Sequence, residues 1–123
     1  MNRARISGFL AAAGLLVSSS AFAINWTTNH RTILELRQSG GKDTYEVSFV
    51  TPLTGTNDNP LTCSDNTTAE MDPGLTATQK DLLNRTLLAA FMAGKTIRLH
   101  IKETGSCINN RPVFVGVRYT KDS

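Results

Sequence analysis

The most regular pattern of hydrophobic and polar positions lies between residues 75 and 107. Thr76 and Gln79 have the spacing of a capping box, which predicts the start of a helix. Apolar residues then recur at helical spacing and define the predicted buried stripe, namely Leu83, Leu87, Ala90 and Phe91. Gly94 is the predicted stop, because glycine readily adopts the left-handed conformation that ends many helices.

A strand is predicted directly after this helix, because apolar and polar residues alternate from residue 97 to residue 102. Its apolar positions are Ile97, Leu99 and Ile101, and its polar positions are Arg98, His100 and Lys102. We expect this helix–strand unit to be the scaffold on which the remaining strands pack.

Two strands joined by a glycine-rich turn precede the unit and predict a hairpin. The first covers residues 32–37, with Leu34 and Leu36 facing the core. The second covers residues 44–50. Its predicted inward residues are Tyr45, Val47 and Phe49, and its predicted outward residues are Thr44, Glu46 and Ser48.

A short third strand is predicted at residues 61–64, where it would carry Cys63 into the core, and a last strand at residues 113–117. The segments 51–60 and 65–74 are predicted loops. Their acidic residues lack the ligand spacing of a calcium loop, so they are interpreted as solvated; these are Asp58, Asp65, Glu70 and Asp72.

The resulting order β-β-β-α-β-β, with one helix between the third and fourth strands, is that of an OB-fold. The sequence therefore predicts a β-rich α+β domain built as a small OB-like barrel.

Residues 1–23 have the pattern of a secretory signal peptide, with two arginines and then an apolar run at residues 8–17 that is too short to span a bilayer. Ala21 and Ala23 form a small-x-small cleavage site, which predicts that the mature chain begins at Ile24. We expect a protein that is periplasmic or secreted from a Gram-negative-type bacterium.

The mature chain is then a single domain over residues 24–123, without a membrane span. Two of the 13 Lys and Arg residues lie in the signal peptide, which leaves eleven basic against ten acidic residues. So small an excess argues against nucleic acid as the partner.

Cys63 and Cys107 are the only cysteines, and export to an oxidising compartment predicts a disulfide between them. Closing a loop of this length stabilises a domain by about 4 kcal/mol in the chain-entropy model. The alternative, two thiols held for redox chemistry or a metal, lacks a CxxC pair or clustered histidines.

No nucleophile elbow, Cys–His pairing or phosphate-binding loop is present, and neither His30 nor His100 has a second metal ligand at i+2 or i+4. We expect no catalysis, cofactor or metal. The candidate binding face is cationic and consists of Arg98, His100, Lys102 and Arg118, the last brought alongside if the two strands pair. It is either a solvated face that discourages edge pairing or a patch for an acidic sugar or protein.

The segment Leu87–Ile101, LLAAFMAGKTIRLHI, resembles the helix-to-strand step in the B subunits of AB5 toxins of the subtilase-cytotoxin and pertussis-like type. The chain also resembles small exported bacterial proteins that end in a cysteine, an Arg-Pro pair and a valine-rich strand. Here these features are Cys107, Arg111-Pro112 and residues 113–117.

The toxin resemblance implies a homopentamer that binds cell-surface glycans, often sialylated ones, but it assigns no sugar-binding residue in this chain. The sequence therefore predicts an exported, non-catalytic binding or accessory module whose partner is a glycan or another exported protein. The alternative is a small periplasmic hydrolase or hydrolase inhibitor.

Overall fold

The computed structural model describes residues 26–120. It contains five strands and one helix, in the predicted order. They are β1 (Arg31–Arg37), β2 (Glu46–Phe49), β3 (Thr68–Met71), α1 (Ala77–Met92), β4 (Thr96–Ile101) and β5 (Val113–Arg118). The predicted signal peptide with Ala21 and Ala23, and the predicted first mature residue Ile24, lie outside the described residues.

The five strands form a closed barrel in the order β1-β2-β3-β5-β4, so the predicted OB-like barrel is confirmed. The β3–β5 pair is parallel and the other four pairs are antiparallel. Closing the sheet removes its free edges.

Helix α1 begins and ends as the sequence predicts. The Thr76 hydroxyl accepts a hydrogen bond from the Gln79 amide, and the Gln79 side chain accepts one from the Thr76 amide, at 3.1 and 2.9 Å. At the other end Gly94 has a φ of 69°, and the amide of Lys95 donates to the Ala90 carbonyl. This is the arrangement of a Schellman motif, which satisfies carbonyls that the helix leaves unpaired.

The core fills the barrel interior with side chains from every strand, from the helix and from one loop. Its largest fully buried apolar residues are Val47, Leu53, Leu87, Ile97, Leu99, Ile101, Val113 and Phe114. On the helix, Leu87 and Ala90 are buried, whereas Phe91 is 41% exposed, so the predicted placement of Phe91 in the core is wrong. The small Ala90 side chain lets the helix approach the barrel closely.

Irregular strand pairing explains a further difference from the predicted alternation. In β1, Ile33 is opposite Phe49 but Glu35 is opposite Ser48, so the extra residue Leu34 turns outward and is 63% exposed. The prediction that Leu34 faces the core is therefore wrong.

A similar shift occurs between β4 and β5. His100 is opposite Gly116 and Ile101 is opposite Phe114, with Val115 as the extra residue. Phe114 and Val117 both reach the core as a result.

The third strand lies later than predicted, at Thr68–Met71 rather than at residues 61–64. Cys63 is buried, but it belongs to the long connection between β2 and β3. All four residues of β3 are buried: Ala69 and Met71 lie in the core, and Thr68 and Glu70 lie on the outer side, where polar neighbours cover them.

The predicted disulfide between Cys63 and Cys107 is present, with a Cα–Cα distance of 5.9 Å. It joins the β2–β3 connection to the β4–β5 connection, and the two cysteines are 44 residues apart in the chain. No helix among residues 26–120 has the length and apolar composition needed to cross a membrane.

Candidate functional site

Three of the four residues of the predicted cationic face lie together on the outside of the barrel. Pairing of β4 with β5 places Arg98 opposite Arg118 and His100 opposite Gly116. Lys102 follows the end of β4, and its ammonium group forms an ion pair with Asp72 at 3.3 Å. Of the four predicted residues, Arg98, His100 and Arg118 are thus brought together by strand pairing, and the Lys102 charge is paired with Asp72.

The structure adds Trp26 to this face. Trp26 forms an antiparallel bridge with His100, and the amide of Thr27 donates to the Leu99 carbonyl at 2.8 Å. Residues bridged in this way project from the same side of a sheet, so the indole lies beside the His100 ring, with 5.4 Å between ring centroids. We call Trp26, Arg98, His100, Gly116 and Arg118 the Trp26 face.

Gly116 provides the space that the indole occupies. A Cβ atom at residue 116 would lie 3.1 Å from the His100 Cβ and 3.4 Å from the Trp26 ring. The Arg118 guanidinium lies over the indole, 4.6 Å from the ring centroid, in cation–π geometry. Trp26 therefore covers the outer surface of β4 and β5.

The two arginines of the Trp26 face differ from the other arginines in the described part of the chain. Arg31, Arg37, Arg85 and Arg111 each form an ion pair with at least one carboxylate. Neither Arg98 nor Arg118 has a carboxylate within ion-pair distance among residues 26–120. Arg98 donates instead to the backbone carbonyls of Thr27 and Thr28, at 2.9 and 2.6 Å.

Like charges directly opposite each other on neighbouring strands are destabilising. Arg98 and Arg118 therefore create a concentrated positive charge that the described residues leave without a neutralising partner. Burial lowers the pKa of His100, and this outweighs the opposing effect of Glu103, so the imidazole is neutral at pH 7. The positive charge of the face thus comes from the two guanidinium groups.

A second group of charged residues lies on the outer surface of β2 and β3. We call it the charge cluster, and its members are Arg37, Lys42, Glu46, Asp65, Glu70 and Arg111. Glu46 and Glu70 are register partners, and both are buried. The prediction that Glu70 is solvated is therefore wrong, as is that for Asp58, which is buried against Arg31. Glu46 lies on the outward side of β2 as predicted, but the cluster covers it.

Cations from two loops cover the paired glutamates. The Arg111 guanidinium bridges Glu46 and Glu70 at 3.0 and 2.7 Å, and it also binds Asp65 at 2.9 Å. The Lys42 ammonium lies 3.3 Å from Glu46 and 3.0 Å from Glu70. The β1–β2 and β4–β5 loops are thereby tied to the barrel through one network.

The charge cluster occupies the surface that ligands use in many OB-folds, namely the face of strands 2 and 3 with the adjoining β1–β2 and β4–β5 loops. Burial raises the pKa of Glu46, but hydrogen bonds from Arg37 and Lys42 outweigh it and hold the pKa below its ordinary value. A general acid needs a raised pKa and access to substrate. Glu46 has neither, so this arrangement favours a structural role.

Among the described residues, no group of three or more His, Cys, Asp or Glu side chains is placed to hold a metal ion. Comparisons of the chain with protein-family models, curated proteins and solved structures found no match.

Sequence reasoning missed both Trp26 and the charge cluster. The alternation of β4 and β5 was enough to find Arg98, His100 and Arg118, because each strand shows its polar face locally. Trp26 lies beside these residues only because it forms a β-bridge with His100, and strand alternation does not show that contact. The cluster depends on the position of β3, which the sequence pattern misplaced.

Proposed function

We propose that this chain is an exported, non-catalytic binding module whose Trp26 face binds an anionic ligand. The observation that carries the proposal is the register pair Arg98–Arg118, two guanidinium groups without a carboxylate partner in the described chain. The ligand class is an acidic sugar, consistent with the glycan binding that the resemblance to toxin B subunits implies. The disulfide supports export, because such bonds persist in oxidising compartments.

The chemistry of the face suits a carboxylate attached to a sugar ring. A guanidinium group binds a carboxylate through two parallel N–H···O bonds, which gives direction as well as attraction. The exposed Arg118 is the more accessible donor, while Arg98 is half-buried and fixed by backbone carbonyls. The half-buried indole edge provides an apolar contact for the carbon face of the ring.

Trp26 is the only tryptophan in the chain, so intrinsic fluorescence reports on this face. The test titrates the mature protein with sialyllactose and with lactose, which differ by the acidic sugar. We expect a saturable change in emission with sialyllactose and none with lactose. Arg118→Gln should weaken sialyllactose binding about tenfold or more, since a hydrogen bond to a charged group contributes about 1.5–3 kcal/mol.

Arg85→Gln is the matched control, because Arg85 is an exposed arginine on α1 whose partner is Asp81. It should leave binding unchanged. A glycan array of the same protein extends the test to other acidic glycans. The proposal fails if no acidic glycan binds, or if Arg118→Gln and Arg85→Gln have the same affinity as wild type.

We also propose that the module forms a homo-oligomer through the outer surface of α1. Leu82, Leu88, Phe91 and Met92 are large apolar residues of this helix that are at least 41% exposed. Leu88→Asp should leave the fold intact and reduce the mass measured by light scattering to that of a monomer. If the wild-type protein is already monomeric at micromolar concentration, the proposed oligomer is refuted. That result would not bear on the proposed ligand binding by the Trp26 face.

A further inference from the structure

The connection between β2 and β3 covers residues 50–67 and contains no helix or strand. Loops of this length in a small domain are usually either functional or disordered. This loop is attached to the rest of the protein at several points, which hold it in a defined conformation.

The first attachment is an ion pair in the interior. Asp58 is 1% exposed and binds Arg31 at the start of β1, and its other carboxylate oxygen accepts from the Thr28 amide at 2.8 Å. The Arg31 guanidinium also donates to the carbonyl of Pro52 at 2.7 Å. Burying a charge is expensive unless it is paired and hydrogen-bonded, so these contacts hold the loop in one position.

Two more attachments hold the rest of the loop. Leu53 is buried in the core, and its amide donates to the Asn66 carbonyl at 2.6 Å. Cys63 is joined to Cys107 by the disulfide. Asn59 accepts from the amide of Cys63 and donates to its carbonyl, at 2.8 and 2.9 Å.

The loop surrounds a cleft of about 400 Å³, which lies within the range of small-molecule sites in proteins. No ionisable side chain lines it. Its walls include the apolar Leu53 and Pro60 and the polar side chains of Thr54, Thr56 and Asn66. These three polar side chains make no hydrogen bond to another described residue, in contrast to Asn59, whose carboxamide is occupied by Cys63.

Thr62, also on the wall of the cleft, has a φ of 49°. A β-branched residue rarely adopts this left-handed conformation, which persists only where the surroundings impose it. The surroundings here are Asn59, whose carbonyl accepts from the Thr62 amide at 3.1 Å, and the adjacent Cys63. The wall is therefore held in a strained conformation rather than in a relaxed turn.

We infer that this cleft is a second binding site, for an uncharged polyhydroxylated group such as a neutral hexose. Two hydroxyls and a carboxamide can exchange hydrogen bonds with sugar hydroxyls, while Leu53 and Pro60 offer apolar contact to ring carbons. The absence of ionisable groups from the wall excludes the charge-based recognition proposed for the Trp26 face. The two sites share no residue, so each can be tested separately.

The experiment records amide chemical shifts of the full mature chain during titration with methyl glycosides of glucose, galactose and mannose. We expect at least one glycoside to cause saturable shifts confined to residues 53–66, with a Kd of about 1–10 mM, as suits a single small ligand on a shallow site. Asn66→Ala and Thr56→Val should each weaken binding about threefold or more.

Ser64→Ala is the matched control, because Ser64 is exposed in the same loop but does not line the cleft. It should bind like wild type, as should Arg118→Gln, which removes a cation from the Trp26 face only. Each variant is compared only after its thermal unfolding matches wild type. The inference is overturned if none of the three glycosides shifts residues 53–66 at about 50 mM, or if Asn66→Ala and Thr56→Val bind as tightly as Ser64→Ala.

Discussion

Glu46 and Glu70 lie directly opposite each other on β2 and β3, and their carboxylates share the cations of Lys42 and Arg111. Two buried carboxylates on neighbouring strands repel each other unless cations neutralise them. The cations of the charge cluster therefore allow both glutamates to be buried in the charged form. Protonation of the carboxylates weakens these ion pairs, so the stability of the fold depends on pH.

The first prediction is that the protein loses stability in acid. Hydrogen bonding to Arg111 lowers the pKa of Asp65, and cation contacts keep the pKa of Glu46 low despite its burial. A lowered folded-state pKa gives stability that is complete above the unfolded pKa of about 4 and is lost as the pH falls through the folded value. Urea unfolding should give a constant free energy from pH 7 to about pH 5 and a steep decrease below about pH 4.

A midpoint that stays constant down to about pH 3 would show that the cluster contributes no pH-dependent stability. Asp65→Asn should flatten the acid limb of the curve, because it removes one of the two groups whose protonation drives the loss.

The second prediction concerns Arg111, which contacts three carboxylates of the cluster. Arg111→Ala leaves buried carboxylates without their bridging cation and should cost about 3 kcal/mol or more in the free energy of unfolding. The control is Arg85→Ala, which removes an exposed pair on α1 and should cost about 0.5 kcal/mol. Equal losses in urea unfolding would contradict the assigned role of the cluster.

The third prediction concerns the disulfide between Cys63 and Cys107. The double variant Cys63→Ala, Cys107→Ser should be less stable by about 4 kcal/mol, because the unfolded chain regains the freedom of the closed loop. For a domain of this size the melting temperature should fall by more than about 15 °C. Reductant should reproduce this decrease in wild type and leave the variant unchanged; a wild-type curve insensitive to reductant would refute the prediction.

The fourth prediction separates the two sides of α1. Leu87 is fully buried, whereas Leu88 is 42% exposed. Leu87→Ala should cost about 2–5 kcal/mol by removing buried contacts and leaving a cavity. Leu88→Ala should cost less than about 1 kcal/mol in the monomer. Similar losses for both variants in denaturant unfolding would mean that the orientation of the helix is wrong.

The fifth prediction concerns processing. Cleavage after Ala23 should give an exported protein whose intact mass corresponds to residues 24–123, less two hydrogen atoms for the disulfide. Mass spectrometry of the periplasmic fraction tests this directly. Recovery of a protein that still carries Met1 to Ala23 would refute the signal-peptide interpretation.

The elements that local patterns specify were predictable, and α1 with β4 is the clearest example. Thr76, Gln79 and Gly94 mark the ends of the helix through contacts within a few residues. β3 was misplaced because Thr68–Met71 is only four residues long and contains a glutamate, and no local pattern shows that cations from two distant loops bury it. The strand was predicted at residues 61–64 instead, because Leu61 and Cys63 make that segment more hydrophobic.

The candidate site shows the same division. Arg98, His100 and Arg118 follow from strand alternation, since each lies on the polar side of its own strand. Alternation also gives Lys102, but it does not show that Asp72 pairs with the Lys102 ammonium group. Trp26 contacts His100 across more than seventy residues of chain, and a single sequence contains no signal for such a contact.

The parallel pairing of β3 with β5 gives the barrel a folding order. β5 follows the other strands in the described part of the chain, yet it lies between β3 and β4 and completes both ladders. Until residue 118 is available, β3 and β4 each keep an unpaired edge and the core stays open to water. Contacts between distant segments form slowly because a long loop must close first. A nascent chain of this design cannot close its barrel until β5 is made, and an open barrel is the state in which the proposed export signal would carry it across a membrane.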